Sequence, residues 1–444
     1  MSAKPPGPGS FRTLALLISK KGDLTALMES ISSRYGDVAR ARLGPSTFYL
    51  VTHPAYVEDV LVLSDSKFQR VDSERRVSGR LVGDGLFQSE GEEHLARRRL
   101  LESFMYTGEA ERLGGGVVET AIEMRDRIEA GKPMDLFEFT ESLATAVMVR
   151  LLFGRTPSDP VGRSLGEAIT QTIAALDSLP AGPTRLPERL PFTRRKFTAA
   201  LKRLDALVHE VIQQRRGTTA NDITSMLIRA SETSGARLSD EQIRNELLTL
   251  FRGHQAVSTA LTWTFHALAG LQDIERRLHD EIDTLAGSPP SPQDVTRLDF
   301  TRRVFQESLR LYPPAYVLAR KAVEHHVVAG FEIPAGAQVL VSEWVTHRDQ
   351  RFWPDPLRFD PDRFLDEAAS TRPTFAFYPQ GGGTKMCMGK HFVVPLEGPL
   401  LVATLAQAWK FTPVAGHRVR LSPKATLKPK NAVLMVPERR GTGR

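Results

Sequence analysis

Residues 378–389 read YPQGGGTKMCMG and contain Cys387, the single cysteine among 444 residues. Three consecutive glycines precede this cysteine, and an apolar run at 392–405 predicts a helix after it. Glycine allows backbone angles and close approaches that other residues cannot adopt. A cysteine held by such a loop, just before a helix, is placed where a thiolate is stabilised. One thiolate suits a single axial bond to a metal, whereas a tetrahedral zinc site would need further ligands at short spacing.

The loop resembles the haem-binding loop of the cytochrome P450 family, the haem-thiolate monooxygenases. Gly383, Cys387 and Gly389 match its pattern, and Lys385 conservatively replaces its arginine. Gln380 departs from the pattern, because the family has phenylalanine at this position. The alternative is a buried structural cysteine beside a glycine-rich turn, since short motifs produce false matches.

Composition and charge limit the class of protein. The chain has 41% hydrophobic and 25% charged residues, as soluble globular proteins do. A single cysteine excludes a disulfide within the chain and favours a reducing compartment, so a cytoplasmic protein is expected. The net charge is +7, but the 59 basic residues are dispersed among 52 acidic ones. Nucleic-acid binding is therefore weakly supported and not expected, and a basic docking face for an acidic protein accounts for the charge equally well.

The N-terminal segment, MSAKPPGPGS, contains no long apolar run, and the apolar residues at 14–18 are too few to cross a bilayer. The segment also lacks the usual pattern of a secretory signal. Membrane-bound members of the family carry an anchor before a similar proline-rich hinge. Only the hinge-like part is present in this sequence, so no membrane anchor is expected.

A second landmark is the pair His94 and Arg98, which lie four residues apart on one face of a helix predicted over 89–104. This helix is predicted to begin with a capping box at 89–92. In the family, a pair with this spacing binds a haem propionate, and a guanidinium suits a carboxylate because it forms paired charged hydrogen bonds. The alternative is an exposed basic helix, since arginines flank Arg98 on both sides.

The resemblance implies haem b, iron protoporphyrin IX, as the cofactor, with Cys387 as the metal ligand. Arg320 falls where many relatives place another propionate-binding arginine, although an exposed strand residue is the alternative. Gly381 and Lys385 complete the implied cofactor-binding residues. The amide of Gln380 is expected to donate a hydrogen bond to the sulfur, which would raise the reduction potential.

A long apolar-rich helix is predicted over 239–269, beginning with a capping box and interrupted only by Gly253. A glycine inside a helix costs about 1 kcal/mol relative to alanine, so this one suggests that something approaches the backbone closely. Residues 252–257, RGHQAV, align with the oxygen-binding stretch of the family. However, Gln255 and Ala256 stand where the family has an acid and a threonine.

The acid and the threonine supply protons when dioxygen is split, and an amide and a methyl group cannot do so. Protons would then come from a substrate hydroxyl, ordered water, His254, Ser258 or Thr259. Otherwise the enzyme uses a preformed peroxide or catalyses another type of reaction, or the position tolerates variation and activity is less well coupled. The predicted catalytic residues are Gly253, Gln255, Ala256 and Cys387.

Glu307 and Arg310 lie three residues apart on a helix predicted over 298–312. Such a pair is usually an exposed one worth a few tenths of a kcal/mol. Here it is followed by LYPP, and Glu-x-x-Arg with this ending is highly characteristic of the family. Arg363, in the segment FDPDRF, is expected to complete a Glu–Arg–Arg network that braces the haem-binding core.

These landmarks come in the order found in the family and cover almost the whole chain. The resemblance implies a mainly α fold with a smaller β-rich region, as a single triangular domain over 1–444. The substrate pocket is expected to be lined from 66–88, predicted as a long loop with short helical pieces, from 170–200 and from 250–258. Residues between 177 and 197 contain four prolines and are predicted to form a loop.

The implied function is a monooxygenase that inserts oxygen from O2 into a small apolar metabolite: a terpenoid, a polyketide or a fatty-acid-like molecule. No flavin or nicotinamide motif follows the haem region, so electrons are expected from a ferredoxin and its reductase or from a flavodoxin-like donor. Arg97, Arg99 and Lys390 are expected to form its docking face. Two alternatives remain: an atypical catalyst (peroxide-driven, or performing desaturation, ring formation or coupling) and, less favoured, a non-catalytic haem sensor or ligand carrier.

Overall fold

The computed structural model describes residues 3–102, 107–177, 191–233 and 238–441. Most of this part of the chain is helical, and the strands form small sheets at its margins. The helices are α1 (Ser10–Ser19), α2 (Leu24–Tyr35), α3 (Pro54–Glu58), α4 (Asp72–Val82), α5 (Gly91–Glu102), α6 (Thr107–Arg125), α7 (Leu136–Phe153), α8 (Pro160–Asp177), α9 (Pro191–Arg215), α10 (Ile223–Thr233), α11 (Asp240–Phe251), α12 (His254–Leu268), α13 (Gln272–Asp283), α14 (Asp299–Leu311), α15 (Glu343–Thr346), α16 (Asp366–Ser370) and α17 (Gly398–Ala408).

The strands are β1 (Val38–Leu43), β2 (Ser46–Val51), β3 (Phe68–Arg70), β4 (Met134–Asp135), β5 (Leu318–Ala322), β6 (His326–Val328), β7 (Phe331–Ile333), β8 (Gln338–Val341), β9 (Trp409–Pro413), β10 (Leu421–Pro423), β11 (Leu427–Pro429) and β12 (Leu434–Arg439). The largest sheet has the order β1-β2-β8-β5-β3. Within it, β2 and β8 are parallel and the other neighbours are antiparallel. The mainly α fold with a smaller β-rich region is therefore confirmed.

Local sequence signals explain several helix boundaries. The carboxylate of Asp23 accepts hydrogen bonds from the first turn of α2, and Gly36 follows that helix with φ of +88°. Ser239 and Gln242 form the capping box predicted at the start of α11. The capping box predicted at 89–92 is wrong, because Ser89 Oγ donates to the Leu86 carbonyl and α5 begins only at Gly91.

The central helix of the core is α12, most of whose residues are buried. It packs against α7 and α14. The hydroxyl groups of Thr140 and Thr262 lie 2.6 Å apart between α7 and α12, so a polar contact is satisfied inside an otherwise apolar interface. Such a rigid scaffold can hold the residues at the N-terminal end of α12 in fixed positions.

The predicted single helix over 239–269 is instead two helices, α11 and α12. The N–H of Gly253 bonds to Leu250, and the N–H of Ala256 bonds to Gly253. Both bonds span three residues rather than four, so the α-helical ladder stops and begins again at this point.

The prediction of a mainly irregular 66–88 segment is also wrong, because α4 occupies eleven of these residues. Gly83 and Gly85 let the segment after α4 pack directly on α11. A Cβ at Gly83 would lie 2.5 Å from the Asn245 side chain, and one at Gly85 would lie 2.5 Å from the Thr249 hydroxyl. The proline-rich stretch at 178–190 lies outside the described residues, and α9 begins at Pro191.

The ion pair predicted on α14 is fully buried. Both guanidinium–carboxylate contacts between Arg310 and Glu307 are 2.7 Å long, and neither side chain has exposed surface. Arg363 Nε lies 3.6 Å from Glu307 Oε1, which places it beside this pair. The spare donors of Arg310 bind the main-chain carbonyls of His347, Pro356 and Arg358, so the pair fixes the segment that leads to the cysteine loop.

Candidate active site

The cysteine loop is fixed by its main chain. The N–H of Cys387 donates to the carbonyl of Gln380 over 2.9 Å. Gly381 and Gly383 adopt φ of +74° and +67°, which residues with a Cβ rarely adopt. A Cβ at Gly383 would lie 1.8 Å from the carbonyl oxygen of Leu61, so glycine is required where the loop meets the π-helical segment Asp59–Leu63.

The thiol of Cys387 combines accessible surface with a deep position in the protein. The side chain has accessible surface, yet it lies deep enough for burial to raise the pKa of its thiol. The N–H of Gly389 bonds to the sulfur, and the charge of Arg98 also favours the thiolate. Burial outweighs these contacts, so the pKa of the thiol lies above its ordinary value. A metal ion bound to the sulfur would favour the thiolate, because it deprotonates a coordinating thiol.

The expected hydrogen bond from the Gln380 amide to this sulfur is not among the contacts of the described residues. Gln380 contributes its main-chain carbonyl instead. The described residues also contain no cluster of three or more histidine, cysteine or carboxylate side chains able to hold a metal ion. A metal bound by Cys387 would therefore have to bring most of its ligands with it, as the iron of a macrocycle does.

His94 and Arg98 both lie against the cysteine loop from α5. His94 Nε2 lies 2.9 Å from the carbonyl oxygen of Thr384. Arg98 Nη1 donates to the carbonyls of Thr384 and Met386 over 3.0 and 2.6 Å. Both side chains are buried, and burial lowers the pKa of the His94 imidazole. The imidazole of His94 and the guanidinium of Arg98, both singled out from the sequence, thus bind main-chain carbonyls of the loop.

Lys385 is already paired within the protein. Its Nζ lies 3.3 Å from Asp65 and 3.4 Å from Glu90, and the side chain is almost fully buried. Asp65 also accepts hydrogen bonds from the N–H and the hydroxyl of Thr384. The resemblance implied that the positive charge of Lys385 binds the cofactor. Asp65 and Glu90 already largely neutralise this charge.

Arg320 lies on β5, directly opposite Arg70 on β3. Its side chain is buried, although the sequence left an exposed strand residue as the alternative. Arg320 Nε and Arg70 Nη1 have no hydrogen-bond partner among the described residues. Arg70 was not identified from the sequence, because no local pattern shows which strand will pair with β3.

The predicted catalytic residues of the α11–α12 junction lie together. Gly253 is exposed and Ala256 half-buried, whereas Gln255 is buried. The Nε2 of Gln255 and the hydroxyl of Thr259 have no partner among the described residues. The hydroxyl of Ser258 donates to the carbonyl of Gln255 over 3.1 Å. Polar groups are thus available along α12, but none of these is an acid.

Phe87 links this junction to the buried arginines. Its ring lies between the guanidinium groups of Arg70 and Arg252, at 4.5 and 4.6 Å from the ring centroid. Glu246 binds the same region: its carboxylate accepts a hydrogen bond from the N–H of Leu86 at 2.9 Å and pairs with Arg97 at 2.7 Å. The segments 66–88 and 250–258, both predicted to line one pocket, therefore meet.

The prediction that Arg97 forms part of an open docking face is therefore wrong. It pairs with Glu93 and with the buried Glu246, and only 16% of its side chain is exposed. Arg99 is exposed at a cleft of about 410 Å³ between α5 and the cysteine loop. Lys390 is half-buried in the turn after Cys387. The local positive charge beside the loop is smaller than the sequence suggested.

The sequence profile of the cytochrome P450 family matches residues 4–437. The chain belongs to the cytochrome P450 family. It is therefore a P450-type monooxygenase, and family and fold together imply a haem cofactor. No helix among the described residues is both long and apolar enough to cross a membrane.

Curated relatives cover most of this cytochrome P450. It is 30% identical over 414 residues to cyclooctatin synthase of Streptomyces melanosporofaciens (91% of this chain, 89% of the relative). It is 32% identical over 391 residues to cyclooctat-9-en-7-ol 5-monooxygenase of the same organism (86% and 84%). It is 30% identical over 413 residues to pentalenene oxygenase of Streptomyces avermitilis (90% and 88%).

The solved haem domain of cytochrome P450DA has the same fold. It superposes with a TM-score of 0.88 at 21% identity, covering 100% of this chain and 99% of that one. The residues of this cytochrome P450 fit a haem in two respects. The sulfur of Cys387 is accessible and has a main-chain donor beside it. The buried guanidinium groups of Arg70 and Arg320, on neighbouring strands, each have a donor without a partner among the described residues. A haem would supply what both features lack: a metal ion for the sulfur and carboxylates for the guanidinium groups.

Proposed function

We propose that this cytochrome P450 oxidises a terpenoid, using haem b and electrons from a ferredoxin-type protein. The support for the substrate class is that three curated relatives, at 30–32% identity over most of the chain, are named as enzymes of cyclooctatin or pentalenene chemistry. The sequence left terpenoid, polyketide and fatty-acid-like substrates open, and these relatives favour the first.

In this proposal the sulfur of Cys387 would hold the haem iron, and bound haem would supply the redox chemistry of oxygen activation. His94, Arg98 and Arg320 would bind its carboxylates, because all three are buried. His94 and Arg98 contact the cysteine loop, and Arg320 lies on β5 opposite Arg70. Gly381 allows the turn of the cysteine loop, because it adopts φ of +74°. Lys385 contributes less than expected, because Asp65 and Glu90 already neutralise it.

The substrate binds on the side formed by 66–88 and the α11–α12 junction. Phe87 is the apolar wall of this side, and the two guanidinium groups at its faces hold the ring in place. Gly253 and Ala256 leave space because their side chains are absent or small. The unpartnered Nε2 of Gln255 is available to donate a hydrogen bond to an oxygen of the substrate or of a bound water.

The electron donor docks beside the cysteine loop, at the cleft that Arg99 borders. An acidic, ferredoxin-type protein fits the exposed positive charge there and the net charge of +7. Arg97 belongs to the internal pairing with Glu246 and supports α5 rather than the partner.

A spectral titration tests the substrate class. The purified ferric protein is titrated with terpene hydrocarbons, terpene alcohols, fatty acids and polyketides while the haem absorption is recorded. Saturable conversion to the high-spin form with terpenoids alone, followed by turnover with a ferredoxin and its reductase, is the expected result. Saturable binding of fatty acids or polyketides instead would reject the terpenoid proposal, and a protein without any haem spectrum would reject the haem site.

A peroxide-driven reaction is the second candidate, favoured by Gln255 and Ala256. Neither side chain supplies an acidic proton, and the nearby Thr259 hydroxyl is a weak acid. Turnover with hydrogen peroxide at a rate equal to or above that with O2 and the ferredoxin system would support this candidate. Turnover only with the ferredoxin system would reject it.

A further inference from the structure

Helix α1 presents an apolar face to solvent. Phe11, Leu14 and Ile18 are 88%, 46% and 68% exposed. Their spacing of three and four residues places them on one side of the helix, and the exposed Ala15 lies on the same side. Single exposed apolar residues are common on protein surfaces, whereas a contiguous group of them marks an interaction site. This face is therefore a candidate contact surface.

The opposite side of α1 fixes the helix on the protein. Thr13 is fully buried, and its hydroxyl donates to the carbonyl of Gly9 over 3.1 Å. Leu16 and Leu17 pack against a buried cluster that includes residues of α2 and β1. The apolar face is thus presented by an element that is held in place by its other side.

The N-terminal part of the chain, which carries this helix, has a basic surface. Between residues 3 and 43 three acids stand against seven cationic residues, all exposed: Lys4, Arg12, Lys20, Lys21, Arg34, Arg40 and Arg42. The acids are engaged with other groups of the protein. Asp23 caps α2. Glu29 accepts the indole N–H of Trp344 over 2.6 Å. Asp37 pairs with Arg351, so the exposed charge of this part of the surface is positive.

We propose that the apolar face of α1 docks on an anionic lipid bilayer, with the helix lying in the plane of the membrane surface. An apolar helix face enters the boundary between headgroups and acyl chains, and neighbouring Lys and Arg side chains attract anionic lipids. Arg12 on the helix, and Lys20 and Lys21 at its C-terminal end, are the cations next to this face. A lipid surface is favoured over an acidic protein because exposed apolar residues run along the ten-residue helix between these cations. The proposal does not depend on the haem site or on the substrate class proposed above.

Vesicle sedimentation with the full chain tests this proposal. Vesicles of phosphatidylcholine alone are compared with vesicles that also contain phosphatidylglycerol. We expect the wild-type protein to bind the anionic vesicles and to be released from them as salt rises. Phe11→Gln with Ile18→Gln should bind them roughly tenfold more weakly, because two exposed apolar side chains are lost. Arg12→Gln with Lys20→Gln should also weaken this binding roughly tenfold, because two cations near the surface are lost.

The control is Leu357→Gln with Leu365→Gln, which removes two exposed leucines from the segment that precedes α16. It should bind vesicles as wild type does, and circular dichroism compares the folds of all variants. The proposal is overturned if wild type binds neither kind of vesicle, or if the variant at 11 and 18 binds as tightly as wild type. If light scattering shows a wild-type dimer that this variant dissociates, a second copy of the chain covers the face and the proposal is likewise overturned.

Discussion

Gln255 and Ala256 stand at the positions where the family has an acid and a threonine. The amide is buried and has a free donor, but it has no acidic proton. We expect the double variant Gln255→Glu with Ala256→Thr to form more product per electron consumed from O2, because an acid and an alcohol can move protons there. The measurement compares product with the nicotinamide cofactor oxidised in a ferredoxin-driven reaction.

The matched control places the same changes elsewhere, as Gln272→Glu with Ala267→Thr, at exposed and half-buried positions. It should leave the product yield unchanged. If the double variant at 255 and 256 gives no higher yield than wild type, protons reach the site by another route, such as the unpartnered hydroxyl of Thr259.

Glu397 is a buried carboxyl with no cation partner among the described residues, and burial raises its pKa to about 8. An unfolded glutamate has a pKa of about 4.3. Between these values the folded state keeps a proton that the unfolded state has released. The free energy of unfolding therefore falls as pH rises from 5 to 8, by up to ~1.4 kcal/mol per pH unit from this group.

Glu397→Gln removes this titration and keeps the shape of the side chain. We expect the variant to lose less stability than wild type between pH 5 and pH 8, and to be the more stable protein at pH 8. Thermal unfolding at constant ionic strength measures both. Glu367→Gln, at an exposed position on α16, is the control and should retain the wild-type slope. Equal slopes for wild type and Glu397→Gln would contradict the prediction.

At the scale of elements, two ion pairs with the same i, i+3 spacing should differ sharply in their effect. Glu307–Arg310 on α14 has no exposed surface, whereas Asp273–Arg276 on α13 is mostly exposed. Glu307→Gln leaves a buried guanidinium without its partner, so we expect a loss of about 3–5 kcal/mol in the free energy of unfolding. Asp273→Asn should change it by less than ~0.5 kcal/mol. Urea unfolding followed by circular dichroism compares them, and similar losses would refute a bracing role for the α14 pair.

Elements with strong local signals could be predicted from the sequence. The capping box of Ser239 lies where it was expected, and α14 lies within the helix predicted over 298–312. The sequence placed an interruption at Gly253 but did not predict two separate helices, because whether a glycine bends or ends a helix depends on hydrogen bonds formed in the folded state. Similarly, Ser89 carries a capping signal, but its hydroxyl binds the Leu86 carbonyl instead.

At the scale of the whole molecule, the sequence identified the parts of the candidate site that belong to family motifs and missed those created by long-range pairing. His94 and Arg98 lie against the cysteine loop, nearly 290 residues later. The resemblance implied that this pair binds a haem propionate, which stays a prediction. Arg70 joins Arg320 only through the register of β3 and β5. Glu246 joins Leu86 across 160 residues. Neither contact has a local signature, because each depends on how distant elements pack.

Charge distribution decides how the whole molecule would meet an electron donor. Most of the +7 net charge is dispersed, and Arg97 is internally paired. Arg99 is an exposed cation at the cleft beside the cysteine loop, which Asp65 and Glu102 also line. We expect Arg99→Glu to slow reduction by an acidic ferredoxin, since it reverses the charge that steers the encounter. Stopped-flow reduction of the haem measures this rate as a function of salt.

Salt separates steering from structural damage. The screening length falls from about 30 Å at 0.01 M to about 8 Å at 0.15 M ionic strength, so the difference between Arg99→Glu and wild type should narrow as salt rises. Lys20→Glu makes the same change of charge at the end of α1, which packs against α2 and β1. If Lys20→Glu slows reduction as much as Arg99→Glu does, net charge rather than the cleft beside the cysteine loop governs the encounter. If only Arg99→Glu is slow, and by an amount that falls with salt, the donor docks at that cleft.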